Sequence, residues 1–205
     1  MPPFTGTKLT CFRGERVVFY GLNFCVEAGD ALVLSGPNGS GKTSLLRLMA
    51  GLLRPVAGNI SWADGPIPDN PEEHNRRIHF VGHLDAIKPV LTVSENLGFW
   101  AGLRGSDEPL GTALDTFGIG HLAEVPGRYL SAGQRRRLNL ARIVAAPSAL
   151  WLLDEPTTAL DSDAISKLAG AIKTHRSGGG MVITSTHTDL HLADERVLSL
   201  SKFTQ

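Results

Sequence analysis

Two stretches of the chain carry residues whose types and spacing suit phosphoryl chemistry. The first is Gly-Pro-Asn-Gly-Ser-Gly-Lys-Thr, Gly36 to Thr43. It fits the G-x-x-x-x-G-K-[ST] pattern, with an apolar strand-like run before it and a helical pattern after it. Glycines there let the backbone curl so that its N–H groups face phosphate oxygens. The following helix adds its positive dipole end. Lys42 offers a mobile cation to β- and γ-phosphates, and Thr43 offers a hydroxyl to Mg²⁺. The nucleotide-binding residues expected from this stretch are Gly36, Pro37, Asn38, Gly39, Ser40, Gly41, Lys42, Thr43 and Ser44.

The second stretch is an apolar run, Ala149 to Leu153, ending in Asp154-Glu155. A buried strand that delivers two carboxylates at its C-terminal end places them where α/β sheets bind ligands. Asp154 is the candidate Mg²⁺ residue together with Thr43. Glu155, pointing elsewhere, is the candidate that polarises a water attacking the γ-phosphate. A phosphate-binding loop and a carboxylate pair together still leave kinases, GTPases and several classes of ATPase open.

The elements that must hold these residues alternate between short apolar runs and helical periods, which predicts an α/β fold with a mainly parallel sheet. Strands are expected at Val17–Tyr20, Ala31–Ser35, Asn59–Trp62, Ile78–Gly82, Ala149–Asp154, Met181–Thr186 and Val197–Leu200. Helices are expected at Gly41–Leu52, Val93–Leu103, Ala132–Ala145 and Ser162–Thr174, the second opened by a Thr92/Glu95 capping box. Gly- and Pro-rich joints at 65–71, 102–111, 126–127 and 178–180 read as turns or loops. Residues 88–142 read as a helical lobe set into a core formed by residues 1–87 and 143–205.

Composition narrows the function. The chain has 205 residues, 42% of them hydrophobic, enough for a buried core. Acidic and basic residues balance at 20 each, so nothing points to nucleic acid or anionic lipid as a partner. The basic run Arg135–Arg137 reads as a solvated helix face. No apolar run approaches the ~20 residues of a spanning helix, and the start lacks the pattern of a secretory signal. Cys11 and Cys25 show no CxxC spacing and are expected to stay reduced. His187 with His191, and His79 with His83, have i,i+4 spacing, but Thr188 stands where a zincin needs Glu, and metal ligation is the weaker reading.

Leu130-Ser131-Ala132-Gly133-Gln134 resembles the LSGGQ signature of ABC ATPases, with Ala132 in place of the first glycine. DEPTTALD, Asp154 to Asp161, is similar to that family's Walker B and D-loop. Ser185-Thr186-His187 is similar to its switch-histidine segment. The resemblance covers nearly the whole chain. It implies the ABC-ATPase fold, with an antiparallel β region and an inserted helical lobe. It implies ATP and Mg²⁺ as cofactors and ATP hydrolysis coupled to transport. It also implies a head-to-tail dimer with a second copy, in which Ser131, Gly133, Gln134 and Asp161 close over the partner's ATP. His187 is then expected to contact the γ-phosphate and orient water near Glu155. Integral membrane subunits are the further partners, with the chain peripheral on the cytoplasmic face of the inner membrane.

Two departures sharpen the reading. Arg13 stands where most relatives carry an aromatic that stacks on adenine, and a planar guanidinium can also stack. His83 stands where the family usually carries Gln. With the signature LSAGQ, these features resemble the ATPase subunit of cytochrome c maturation (haem exporter) complexes, although Leu84-Asp85-Ala86 departs from the Gln-Pro-Gly of that group. Other readings are the ATPase of another small ABC exporter, a non-transport ABC ATPase acting on ribosomes or nucleic acid, and a phosphate-loop kinase.

Overall fold

A computed structural model describes residues 2–203. In chain order the elements are β1 (Phe4–Arg13), β2 (Arg16–Val26), β3 (Ala31–Ser35), α1 (Lys42–Met49), β4 (Ala57–Trp62), β5 (Gly65–Pro66), α2 (Pro71–Arg77) and β6 (Ile78–Val81). They continue with α3 (Val93–Gly102), α4 (Leu110–Thr116), α5 (Ala132–Ala145), β7 (Leu150–Asp154), α6 (Ser162–Ser177), β8 (Met181–Ser185) and β9 (Arg196–Ser199). Two sheets result. One is antiparallel, in the order β2-β1-β4-β5, and the other is parallel, in the order β6-β7-β8-β3-β9.

The parallel sheet is covered on both faces, which is why its strands are apolar without a polar side. Every residue of β7 and of β8 is buried. Along β7 the strand period of two divides the side chains between two cores. Leu150 and Leu152 join Leu45, Leu46 and Met49 of α1 and the antiparallel sheet in one cluster. Trp151 and Leu153 join Leu97 of α3, Leu140 of α5 and Leu168 of α6 in the other. Between β6 and β7 the chain forms α3, α4 and α5, with α5 packed against both α3 and α4.

Several expected boundaries move. β2 is an 11-residue strand around the expected Val17–Tyr20. β1 is not foreseen at all, because its pairing with β2 shifts register between Gly6 and Leu9, Leu9 and Cys11, and Cys11 and Phe12. Each bulge breaks the two-residue alternation that marks a strand. α2 falls in and beyond an expected loop, with Pro71 at its first position and the Asn70 side chain capping the Glu73 N–H. The Arg135–Arg137 run is not a solvated face: Arg136 is 3% exposed. The i,i+4,i+7 spacing of Arg136, Leu140 and Ile143 puts all three on the buried side of α5.

His79 is buried too, and its Nε2 donates to the Ala146 carbonyl at 2.9 Å. Burial, with Arg104 nearby, holds its pKa down to about 3. Among the described residues no group of three or more His, Cys, Asp or Glu gathers as a metal cluster.

Candidate functional site

β3, β8 and β7 lie side by side in the parallel sheet, so their carboxyl ends open on one place. β3 delivers the glycine loop there, β7 delivers Asp154 and Glu155, and β8 between them delivers Ser185. The loop needs its glycines for two reasons. Gly36, Gly39 and Gly41 have φ of 145°, 83° and 99°, the region that L side chains avoid. A Cβ on Gly41 would also lie 2.4 Å from Cγ1 of Val18 on β2. The curled loop draws Lys42 across itself, where Nζ donates to the carbonyls of Gly36 at 2.7 Å and Pro37 at 3.3 Å.

Asp154 is 2% exposed, and such a carboxylate needs donors. It has two, both on Oδ1: the hydroxyl of Thr43 at 3.1 Å and that of Ser185 at 2.8 Å. The register of β7 and β8 sets this, since Asp154 pairs with Ser185. Ser185 was not anticipated as a site residue. Its mark in the sequence is a hydroxyl closing an apolar run two residues before His187.

Glu155 leaves the strand with φ of 47°, a left-handed conformation that costs a non-glycine residue ~1–3 kcal/mol and persists only when its neighbours hold it. Its N–H donates both to the Ser185 carbonyl at 2.9 Å and to the Ser185 hydroxyl at 3.1 Å. Its carbonyl accepts from Arg136. The turn aims the carboxylate at His187, whose Nε2 is 3.4 Å from Oε1 of Glu155 and 3.3 Å from Oδ1 of Asn38 in the loop. Three segments far apart in sequence thus meet within hydrogen-bonding reach.

A cavity of about 330 Å³ opens over the loop, lined by Arg13, Val18, Asn38, Gly39, Gly41, Lys42, Thr43, Ser44 and Glu155. Arg13, the last residue of β1, and Val18 enter it from the antiparallel sheet. The remaining expected residues lie elsewhere. Ser131 caps α5 in a reciprocal pair, its Oγ accepting from the Gln134 N–H at 3.2 Å while Gln134 Oε1 accepts from the Ser131 N–H at 2.8 Å. A Cβ on Gly133 would stand 2.9 Å from the Ala159 carbonyl, so the glycine permits close approach of α5 to the segment after Glu155. Asp161 caps α6 through the Ala164 N–H at 2.9 Å and pairs with Arg137 at 2.5 Å. That amide hydrogen bond, aided by the Arg137 charge, lowers the Asp161 pKa. None of Ser131, Gly133, Gln134 and Asp161 lines the loop cavity.

His83 lines a second cleft, of about 960 Å³, whose wall includes Asp154, Arg47, Phe80, Trp100, Arg104 and Arg142. Arg142 lies 3.6 Å over the Trp100 ring. Burial, with Arg104 nearby, draws its pKa down to about 10. His83 therefore shares a cleft with the site's carboxylate but lies outside the cavity over the loop.

Known proteins resemble this chain along most of its length. The family described as ABC transporter matches residues 8–158. The chain is similar to the cytochrome c biogenesis ATP-binding export protein CcmA of Rhodospirillum rubrum, 56% identical over 201 residues, covering 98% of this chain and 86% of that protein. It is 52% identical over 205 residues to the protein of that name from Paramagnetospirillum magneticum, covering 98% and 94%. A solved ATP-binding protein of an ABC transporter from Pyrococcus furiosus has a TM-score of 0.87 at 25% identity and covers 99% of this chain and 100% of that one.

Proposed function

Since the chain belongs to the ABC transporter family and its relatives are named cytochrome c biogenesis ATP-binding export proteins, we propose that it is the ATP-hydrolysing subunit of a membrane complex serving cytochrome c biogenesis, with haem as the exported species. The observation that carries the enzymatic part is the meeting of Glu155, His187 and Asn38 over the loop. A carboxylate aimed by a strained turn and a ring that reaches both it and the phosphate loop are what a hydrolytic site needs.

In this reading Lys42 exchanges the Gly36 and Pro37 carbonyls for β- and γ-phosphate oxygens. Backbone N–H groups from Asn38 to Ser44, past Pro37, which has none, surround the phosphates, and the Arg13 plane stacks on adenine. Glu155 accepts the proton of the attacking water, and His187 orients that water and senses the γ-phosphate. The hydroxyl of Thr43 and the carboxylate of Asp154, 3.1 Å apart, form an oxygen-only donor set that fits Mg²⁺. When bound, Mg²⁺ neutralises charge on the β- and γ-phosphates.

Ser131, Gly133 and Gln134 are separate from the loop cavity of their own chain, which supports a head-to-tail dimer in which they and Asp161 complete the site of a second copy. Residues 1–87 and 143–205 then act as the nucleotide-binding core and residues 88–142 as the lobe carrying the signature. His83, in the cleft that reaches Asp154, links nucleotide state to the membrane subunits. No helix among the described residues is long and apolar enough to cross a membrane, in keeping with attachment through such subunits at the cytoplasmic face.

Deleting the gene is expected to abolish c-type cytochromes, read by haem staining of membrane proteins. Normal staining in the deletion strain overturns the haem-export reading. An unchanged ATPase rate on Glu155→Gln overturns the base assignment separately.

A further inference from the structure

The guanidinium of Arg136 is buried between the start of α5 and the carboxyl end of β7. All five of its N–H groups are used, on five different acceptors. Nε donates to the Pro156 carbonyl at 3.2 Å. Nη1 donates to the Gly82 carbonyl at 2.8 Å and to Oδ1 of Asp85 at 3.3 Å. Nη2 donates to the carbonyls of Asp154 at 3.0 Å and Glu155 at 2.7 Å. Three of the five acceptors are therefore the consecutive carbonyls 154, 155 and 156.

We propose that Arg136 is a positioning residue for hydrolysis: it locks the backbone of Glu155 in the turn from which its carboxylate meets the attacking water, and it ties that turn to the helix opened by Ser131. The proposal rests on the reading of Glu155 as the base. A left-handed glutamate relaxes to negative φ unless both of its peptides are held. Ser185 holds the amide in front of Glu155, and Arg136 alone among the described side chains holds the carbonyls on either side and behind it. Relaxation of that turn swings the carboxylate away from His187 while leaving the glycine loop as it is.

Arg136 stands five residues after Ser131, within the second turn of α5. A helix is stiff over that span, so a shift of its first turn carries the guanidinium and the three carbonyls with it. The contact to Gly82 brings the segment next to His83 into the same network. The signature helix and the base thus move as one body, and closure of Ser131 over a second copy's nucleotide is felt directly at Glu155.

Lysine cannot replace this fork, because three donors on one nitrogen cannot span acceptors spread around a planar guanidinium. The test uses the full chain assayed with the membrane proteins that co-purify with it, and compares Arg136→Lys, Glu155→Gln and the double variant. Arg136→Lys is expected to lower kcat by roughly tenfold or more while KM for ATP changes less than about threefold, the pattern of a contact needed in the chemical step. In the Glu155→Gln background the same substitution is expected to change the residual rate by less than about threefold, because the group it positions is gone.

Multiplicative losses in the double variant overturn the proposal, and so does a raised KM with kcat retained. If Arg136→Lys does not fold, Arg136→Gln, with two donors in a plane, goes through the same cycle. Failure of both to fold makes the residue structural only and overturns the proposal too. A Glu155→Gln protein that hydrolyses at full rate brings down the base assignment instead, a result distinct from additivity.

Discussion

Two neighbouring hydroxyls on β8 are in opposite situations, and replacing each is expected to move stability in opposite directions. Ser185 and Thr184 are both fully buried. The Ser185 hydroxyl donates to the Asp154 carboxylate at 2.8 Å and accepts from the Glu155 N–H at 3.1 Å. The Thr184 hydroxyl has no hydrogen-bond partner among the described residues. In Ser185→Ala neither neighbour is orphaned, since Asp154 keeps the Thr43 hydroxyl and the Glu155 N–H keeps the Ser185 carbonyl. What is lost is one hydrogen bond to a charged group, about 1.5–3 kcal/mol, with little added for the shared N–H. In Thr184→Val a methyl takes the place of an unsatisfied hydroxyl at nearly equal volume, which returns about 1 kcal/mol. Urea unfolding of the nucleotide-free protein, followed by tryptophan fluorescence, measures both, provided the m-value stays constant. A Ser185→Ala loss below about 0.5 kcal/mol would refute the Asp154 bridge as an energetic contact, and a loss above about 4 kcal/mol would mean that Asp154 has been left without a donor. A destabilised Thr184→Val protein would refute the assignment of that hydroxyl as unpaired.

Two further outcomes are expected from the same geometry. Lys42→Ala removes the mobile cation of the loop and should weaken ATP binding about 100-fold or more, the equivalent of roughly 3 kcal/mol, in a fluorescent-nucleotide titration; a dissociation constant within about threefold of the parent contradicts the lysine's role. Burial depresses His74 and His175 to about 4 and His79 to about 3. An unfolded histidine takes a proton near pH 6.5 and these folded ones do not, so the unfolded state binds more protons between those values. The stability they contribute is complete above about pH 6.5 and is lost as pH falls toward 4 and below. Urea midpoints should therefore drop between pH 7.5 and pH 5, and folded-state imidazole signals of these residues titrating near 6.5 would contradict the cause.

How far the sequence carries can be judged residue by residue. The glycine loop was legible because its geometry is local: glycines at fixed offsets permit the positive φ of Gly36, Gly39 and Gly41, and Lys42 follows at once in the helix. The end of β7 was legible because a five-residue apolar run has the length of a buried strand, and two acids followed by Pro156 mark where it emerges. The cap at Thr92 was legible because its partner Glu95 lies three residues on; the same pairing of Ser131 with Gln134 emerged only in the structure. β1 was hidden by its bulges, and the burial of Arg136 by charges on either side of it that suggested solvent.

Spacing and short-range backbone rules thus determined that the chain carries phosphate-binding and carboxylate chemistry, while the motif residues Leu130–Gln134 and Asp154–Asp161 carried its resemblance to a family. The tertiary structure decided which groups meet. Parallel register, not sequence distance, placed Ser185 against Asp154 and beneath Glu155, at a separation of 31 residues. The crossing of β3 beside β8 brought His187 to Asn38 over 149 residues. The packing of α5 on the sheet turned one arginine of a basic run inward to the carbonyls around the base. Such contacts depend on how strands pair and helices dock, and that is set by the whole core settling at once, so no local pattern announces them.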